Sequence, residues 1–140
     1  MNKKMTLATI GMAVVLGFGI VAAAEKAPAD YVAAMKAINT GNGQLRQLVA
    51  AKDYEGIAKA AAGLKPSVEV TAKFWTAKKV EDASKLSNDV VKAVVDLEKA
   101  AQAKDDAGIA AAAGVIGASC RTCHTAHRSE RLPDGTYEIK

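Results

Sequence analysis

The sequence predicts an all-α fold, an antiparallel up-down-up-down four-helix bundle. Three observations carry that prediction. Apolar residues recur at spacings of three, four and seven through four successive windows, as one buried face of a helix requires. Alanine dominates the chain beyond its first 24 residues, and alanine is the strongest helix former. Lastly, Ala51-Lys52-Asp53-Tyr54-Glu55-Gly56-Ile57-Ala58 is echoed 52 residues later by Ala103-Lys104-Asp105-Asp106-Ala107-Gly108-Ile109-Ala110. Each copy reads as the turn of an αα-hairpin: the end of one helix, an Asp cap, the start of the next. Two such hairpins make a four-helix bundle. Duplication and convergent turn chemistry both account for the echo, and the architecture is the same under either.

The 140 residues suffice for one domain. Residues 1–24 read as a secretory signal peptide, which leaves 25–140 as the bundle domain. Lys3 and Lys4 form a basic start, Leu7 to Val21 an uncharged apolar run, and Ala22-Ala23-Ala24 a small-residue cleavage site before Glu25. The rival reading is an uncleaved anchor, since Thr6 to Ala24 is 19 residues long and can span a bilayer. The Ala-x-Ala site and Gly11, Gly17 and Gly19 favour cleavage. Export to the periplasm is the expectation, with no stable membrane association once the signal is removed.

The first helix is expected to start near Pro28-Ala29-Asp30 and to run to about Ala51, with Tyr31, Met35, Ile38, Leu45, Leu48 and Val49 on one stripe. Gly41 and Gly43 interrupt that stripe, at about 1 kcal/mol each relative to alanine. A kink and a close approach of backbone to a flat ligand explain them equally well. The second helix follows Asp53 and carries Ile57, Ala60, Ala61, Leu64, Val68, Thr71 and Trp75. Pro66 is expected to kink or divide it. The third begins around Glu81-Asp82 and has the clearest stripe: Leu86, Val90, Val94, Leu97, Ala101. The fourth starts after Asp105-Asp106 and continues through Ile109, Ala113, Ile116 and Cys120 to His127 or beyond. The tail differs. Leu132-Pro133-Asp134-Gly135 has turn chemistry, and Thr136 to Ile139 alternates like a short extended segment. It lies over the bundle or hangs as a loose terminus.

At the end of the fourth helix stands Cys120-Arg121-Thr122-Cys123-His124, a Cys-x-x-Cys-His sequence of the kind that attaches a c-type haem. Thiols three positions apart share one side of a helical turn, where each can add to a haem vinyl group, and the next residue, His124, is placed to ligate the iron. A haem near the C-terminal end of the last helix is therefore part of the expected architecture. Other uses of these residues fit less well. A thioredoxin-type redox pair sits near a βαβ pattern, absent here. Structural zinc takes four ligands, and the chain offers only Cys120, Cys123, His124 and His127 within eight residues. A structural disulfide has no need of the histidine. Few large apolar side chains remain after the signal, so a buried macrocycle would supply missing core volume.

Charge excludes one class of partner. Without Lys3 and Lys4 the chain carries 17 basic and 15 acidic residues, and two haem propionates bring the balance near zero. The basic character thus belongs mostly to the precursor and gives no argument for nucleic acid.

Four helices with this motif near the end of the last resemble the class II c-type cytochromes, the cytochrome c' family, itself a standard example of the four-helix bundle. The resemblance covers the whole chain after the signal in layout and is most specific over Cys120 to Arg128. The family often has an aromatic residue where His127 stands and a basic residue at Arg128. Its usual Arg after the helix-one Tyr, a contact to a haem propionate, is Val32 here.

The resemblance implies one covalent haem c, with Cys120 and Cys123 as thioethers and His124 as the proximal axial ligand. Met35-Lys36-Ala37-Ile38 resembles the segment that supplies an axial methionine in the low-spin branch, which makes Met35 the distal ligand. Met35 also has an ordinary reading as a core residue, but it is the only methionine after the signal. Arg128 is a possible haem-edge contact or a solvated arginine. His127 is expected at the surface or the haem edge, and Phe74-Trp75 is expected to pack at the end of helix two. The lysines of helices two and three read as a solvated face, though Lys78 and Lys79 could help dock an acidic partner. The expected function is periplasmic electron transfer with redox partner proteins, by a monomer or homodimer that is not itself an enzyme. The alternative is a high-spin, five-coordinate cytochrome c' that binds small gases such as nitric oxide.

Overall fold

The computed structural model describes residues 24–140. The expected signal peptide lies outside the described residues except for Ala24. Four helices make the body: α1 (Ala29–Ala50), α2 (Tyr54–Lys78), α3 (Glu81–Gln102) and α4 (Asp106–His127). Two short strands, β1 (Glu25–Lys26) and β2 (Glu138–Ile139), pair antiparallel and join the start of the described chain to its end.

Each turn is built from the residues that predict it. Asp53 caps α2 by accepting from the Gly56 amide at 2.9 Å, and Asp105 caps α4 by accepting from Ala107 and Gly108 at 3.1 and 3.0 Å. The two echoed turns lie at the same end of the bundle, where Asp106 accepts from Lys52 Nζ and, at 2.9 Å, from the Tyr54 hydroxyl. α1 packs on α2, α2 on α3 and α3 on α4, whereas α1 and α4 barely meet among the described residues.

Two expected helix breaks are corrected. α1 runs unbroken through Gly41 and Gly43. A Cβ on Gly41 would stand 2.5 Å from Leu64 Cδ2, so this glycine lets α1 approach α2, while Gly43 lines the cavity described below. α2 is likewise one helix across Pro66. Pro66 and Ala62 both lie on its exposed face, so water can take the carbonyl that loses its partner. In α4 the buried stripe is Ile109, Ala112, Ile116 and Ser119, with Ala113 exposed.

The core falls into two clusters. The larger fills the bundle from the hairpin turns to its middle and includes Ile38, Leu64, Val90, Val94, Leu97 and Ile116. The smaller lies at the other end and consists of Tyr31, Trp75, Ala83 and Ile139, with Met35, Phe74 and Cys123 packed against it. Ile139 is 6 % exposed, so the tail lies over the bundle and is not loose.

Candidate functional site

A cavity of about 510 Å³ lies between the two clusters, with Ile38 and Val90 of one and Trp75 of the other in its walls. Its lining includes Met35 from α1 and Cys120, Cys123 and His124 from α4. The bundle thus gathers four expected site residues around one space, and the poor contact between α1 and α4 leaves room for a flat group there. Met35 and His124 also line a neighbouring cavity of about 470 Å³ beneath the tail. Arg128, Thr136 and Tyr137 stand over that second space.

The electrostatics separate the uses of the motif. Burial is the main cause that lifts both thiols, with the other cysteine and Asp82 adding to it at Cys123, which reaches about 11. A redox-active Cys-x-x-Cys needs a stabilised thiolate and therefore a lowered pKa. The shift here is the opposite. Among the described residues no three His, Cys, Asp or Glu side chains converge as a protein-only metal cage. Both cysteines are unpaired and half-buried. Burial, assisted by the Arg128 charge, holds the His124 pKa below its usual value. The neutral imidazole is the form that binds iron.

The donor set fits a haem: two neutral thiols and an imidazole within five residues of α4, a thioether across the cavity on α1, and apolar walls. Cys120 and Cys123 would hold it covalently, His124 would ligate its iron, and Met35 is the one thioether facing the same space. Arg128 lines the neighbouring cavity. Its Nη1 lies 3.4 Å from His124 Nδ1, and its guanidinium stacks over the Tyr137 ring at 4.4 Å.

His127 is more enclosed than the sequence suggests. Its Nε2 meets Asp82 Oδ2 at 2.8 Å, its ring packs on Trp75 with centroids 5.1 Å apart, and its side chain is 14 % exposed. It ties the end of α4 to the start of α3. Trp75 is buried and donates from Nε1 to the Tyr31 hydroxyl at 3.2 Å, while burial raises the Tyr31 pKa to about 12. Phe74 stacks on both, so the packing reading of Phe74-Trp75 holds. Lys78 is paired with Glu25. Lys79 closes α2 in the left-handed conformation.

Sequence reasoning missed Leu86, Ser87, Asn39, Asn42, Arg46 and Arg121, all of which line the larger cavity. Leu86 carried a signal, because it opens the α3 stripe yet is only half-buried there. Arg121 sat within the attachment motif, and the other polar members carried no signal.

No curated protein and no solved structure gives a significant match. The sequence does match the family described as Cytochrome C' over residues 22–128, so the region matched holds all four helices and the whole Cys-x-x-Cys-His segment, and the tail lies beyond it. A haem cofactor follows from that membership, and with it a role in electron transfer or gas binding. The chain belongs to the Cytochrome C' family.

Proposed function

We propose that this protein is a periplasmic electron-transfer cytochrome with one covalent haem c, low-spin and ligated by His124 and Met35. One observation carries the reading: Met35 lines the same cavity as Cys120, Cys123 and His124, from the facing helix. Bound there, the haem supplies one-electron iron chemistry. The chain does the rest. Cys120 and Cys123 fix the group to α4. His124, kept neutral by burial, presents a ring nitrogen. Met35 would offer a soft thioether from α1, a ligand that favours the ferrous state and raises the potential. A site with the same two protein ligands in both oxidation states moves an electron with little rearrangement. Trp75 and the tail keep water from one side of the site.

The protein is not an enzyme in this reading. No paired carboxylates or activated nucleophile face the cavity, and the redox chemistry belongs to the cofactor. Its partners are redox proteins met outside the cytoplasmic membrane, with Lys79 at the end of α2 as one cationic contact. The functional unit is a monomer or a homodimer.

Two measurements test this. A denaturing gel stained for haem should show covalent haem in the wild type and none in the Cys120→Ala/Cys123→Ala double variant. Visible spectra of both oxidation states should be low-spin, with the Fe–S charge-transfer band in the oxidised form. A high-spin, five-coordinate spectrum would instead assign the protein to gas binding.

A further inference from the structure

The buried polar side chains of the described residues all line one space. Thr71 on α2, Ser87 on α3 and Ser119 on α4 are 4, 7 and 7 % exposed, and all three border the larger cavity. They lie at about one level of the bundle. Thr71 and Ser87 stand eight residues on either side of Lys79, at the α2–α3 turn, and Ser87 and Ser119 stand seventeen and fifteen residues on either side of Lys104, at the α3–α4 turn. Two of the hydroxyls have spent their proton. Thr71 Oγ1 donates to the Val68 carbonyl at 2.8 Å, and Ser87 Oγ donates to the Ala83 and Ser84 carbonyls at 2.8 and 3.0 Å. Each therefore offers the cavity lone pairs alone. Bonding back to their own helices lets such residues be buried, but that does not account for Ser119, whose side chain makes no hydrogen bond among the described residues. No fully enclosed side-chain nitrogen or oxygen among them lacks a partner, so the Ser119 hydroxyl opens onto the cavity, with a proton to give. The Trp75 indole in the same wall is already committed to Tyr31.

We propose that these three hydroxyls hold one internal water molecule beside the haem, and that this water stabilises the ferric state. The donor and acceptor count selects water. A water molecule donates to Thr71 and to Ser87 and accepts from Ser119, three bonds, the usual number for a buried water. An anion would find one proton and two repelling lone pairs. A cation would find no carboxylate in the cavity wall. The haem itself has no partner to offer: Ser119 adjoins Cys120, and the macrocycle edge that carries the thioethers is hydrocarbon. The site stands on the protein alone, and its effect on the potential rests on the haem reading above. Ile38, Leu86 and Val90 make the surrounding wall apolar, and a dipole acts more strongly there than in solvent. Water and hydroxyl oxygens turn their lone pairs towards the extra positive charge of oxidised iron, so they favour the ferric state. Thr71, Ser87 and Ser119 are positioning residues that act through the water.

The test combines crystal structures and redox titrations of the holoprotein for wild type, Thr71→Val and Ser87→Ala/Ser119→Ala. All should carry covalent haem. The wild-type map should show one ordered water within about 3.2 Å of at least two of the three hydroxyl oxygens, and the double variant should lose it. The double variant should also be easier to reduce, by about threefold to tenfold in the one-electron reduction constant, which is ~30–60 mV at ~59 mV per tenfold. Thr71→Val, which swaps a hydroxyl for a methyl of the same shape, should shift the potential the same way by less. Asn88→Ala is the control, since Asn88 is exposed on α3 and bonds to its own helix; it should change neither water nor potential. A wild-type map with no water on these hydroxyls would overturn the site. A double variant with the wild-type potential, or an equal shift in Asn88→Ala, would overturn its redox role while leaving the haem reading intact. A wild-type protein without covalent haem would overturn the haem reading and the redox role with it, and the maps would still decide the water site.

Discussion

Met35 is one side chain on which two functions diverge. It is half-buried, packed against the Tyr31–Trp75 cluster, and exposed to the cavity that His124 shares. Met35→Leu keeps its volume, so the fold should survive at a cost of about 1.5 kcal/mol or less. The loss of the thioether should nonetheless turn the iron high-spin, lower the potential and let carbon monoxide bind readily, all visible in spectra and rapid-mixing traces. An unchanged spectrum would remove the electron-transfer reading. Asp82 allows a second test at this scale. The hydrogen bond from His127 holds its carboxyl below the ordinary value, outweighing some desolvation. A depressed carboxyl contributes stability above its unfolded pKa and loses it as pH falls through the folded one. Asp82→Asn should therefore lower the melting temperature at pH 7, and the gap from wild type should close below about pH 4. A gap that stays constant down to pH 2 would mean the pair contributes packing alone. Cys120, Cys123 and His124 were legible in the sequence because their chemistry is local, five consecutive residues on one turn. Arg46, Leu86 and Ser87 were not, because only the packing of α1 and α3 brings them to α4.

At the scale of elements, the three interhelical turns share one device. Lys52, Lys79 and Lys104 all take positive φ, at 53°, 58° and 56°. In each case the lysine's own amide and the one after it fold back on the helix just ended: at the last turn, Lys104 N–H donates to Ala101 at 3.0 Å and Asp105 N–H to Ala100 at 2.9 Å. This is a Schellman ending, where glycine is the usual occupant because a Cβ is strained in that conformation. Lys104→Gly should stabilise the protein by about 0.5–1 kcal/mol in urea titrations, since Lys104 makes no side-chain bond that would be lost. Lys52→Gly should gain less, because Lys52 also reaches Asp106. Equal gains at both positions would show that the surface pair contributes nothing. The helix boundaries were readable because Asp caps and Lys-Asp turns are written in neighbouring residues. The continuity of α2 through Pro66 was not, because it depends on which face the ring presents to solvent. Gly41 looked like a breaker for a similar reason: its role is set by Leu64, on another helix.

For the molecule as a whole, the two ends of the described residues act as one closure. β1 and β2 pair, the Ser129 amide donates to Glu138 at 2.9 Å, the Lys140 amide donates to the His127 carbonyl at 3.2 Å, and Ile139 is buried beside Trp75. Ile139→Ala removes most of that plug and should cost about 2 kcal/mol or slightly more, measured by thermal unfolding of the holoprotein. An effect below about 0.5 kcal/mol, the usual size for surface changes, would mean the tail is dispensable. The alternation of Thr136 to Ile139 hinted at a strand, but its partner, Glu25–Lys26, lies more than a hundred residues away and has no pattern of its own.

The thin seam between α1 and α4 also bears on stability. Three of the four neighbouring helix pairs pack closely, and the fourth has few backbone approaches. A haem held by residues of both helices would rivet α1 to α4, so its binding free energy would become stability of the closed ring of helices. The amide hydrogens of α1 should then exchange much faster in the Cys120→Ala/Cys123→Ala chain than in the haem-bearing protein, while those of α2 and α3 change least.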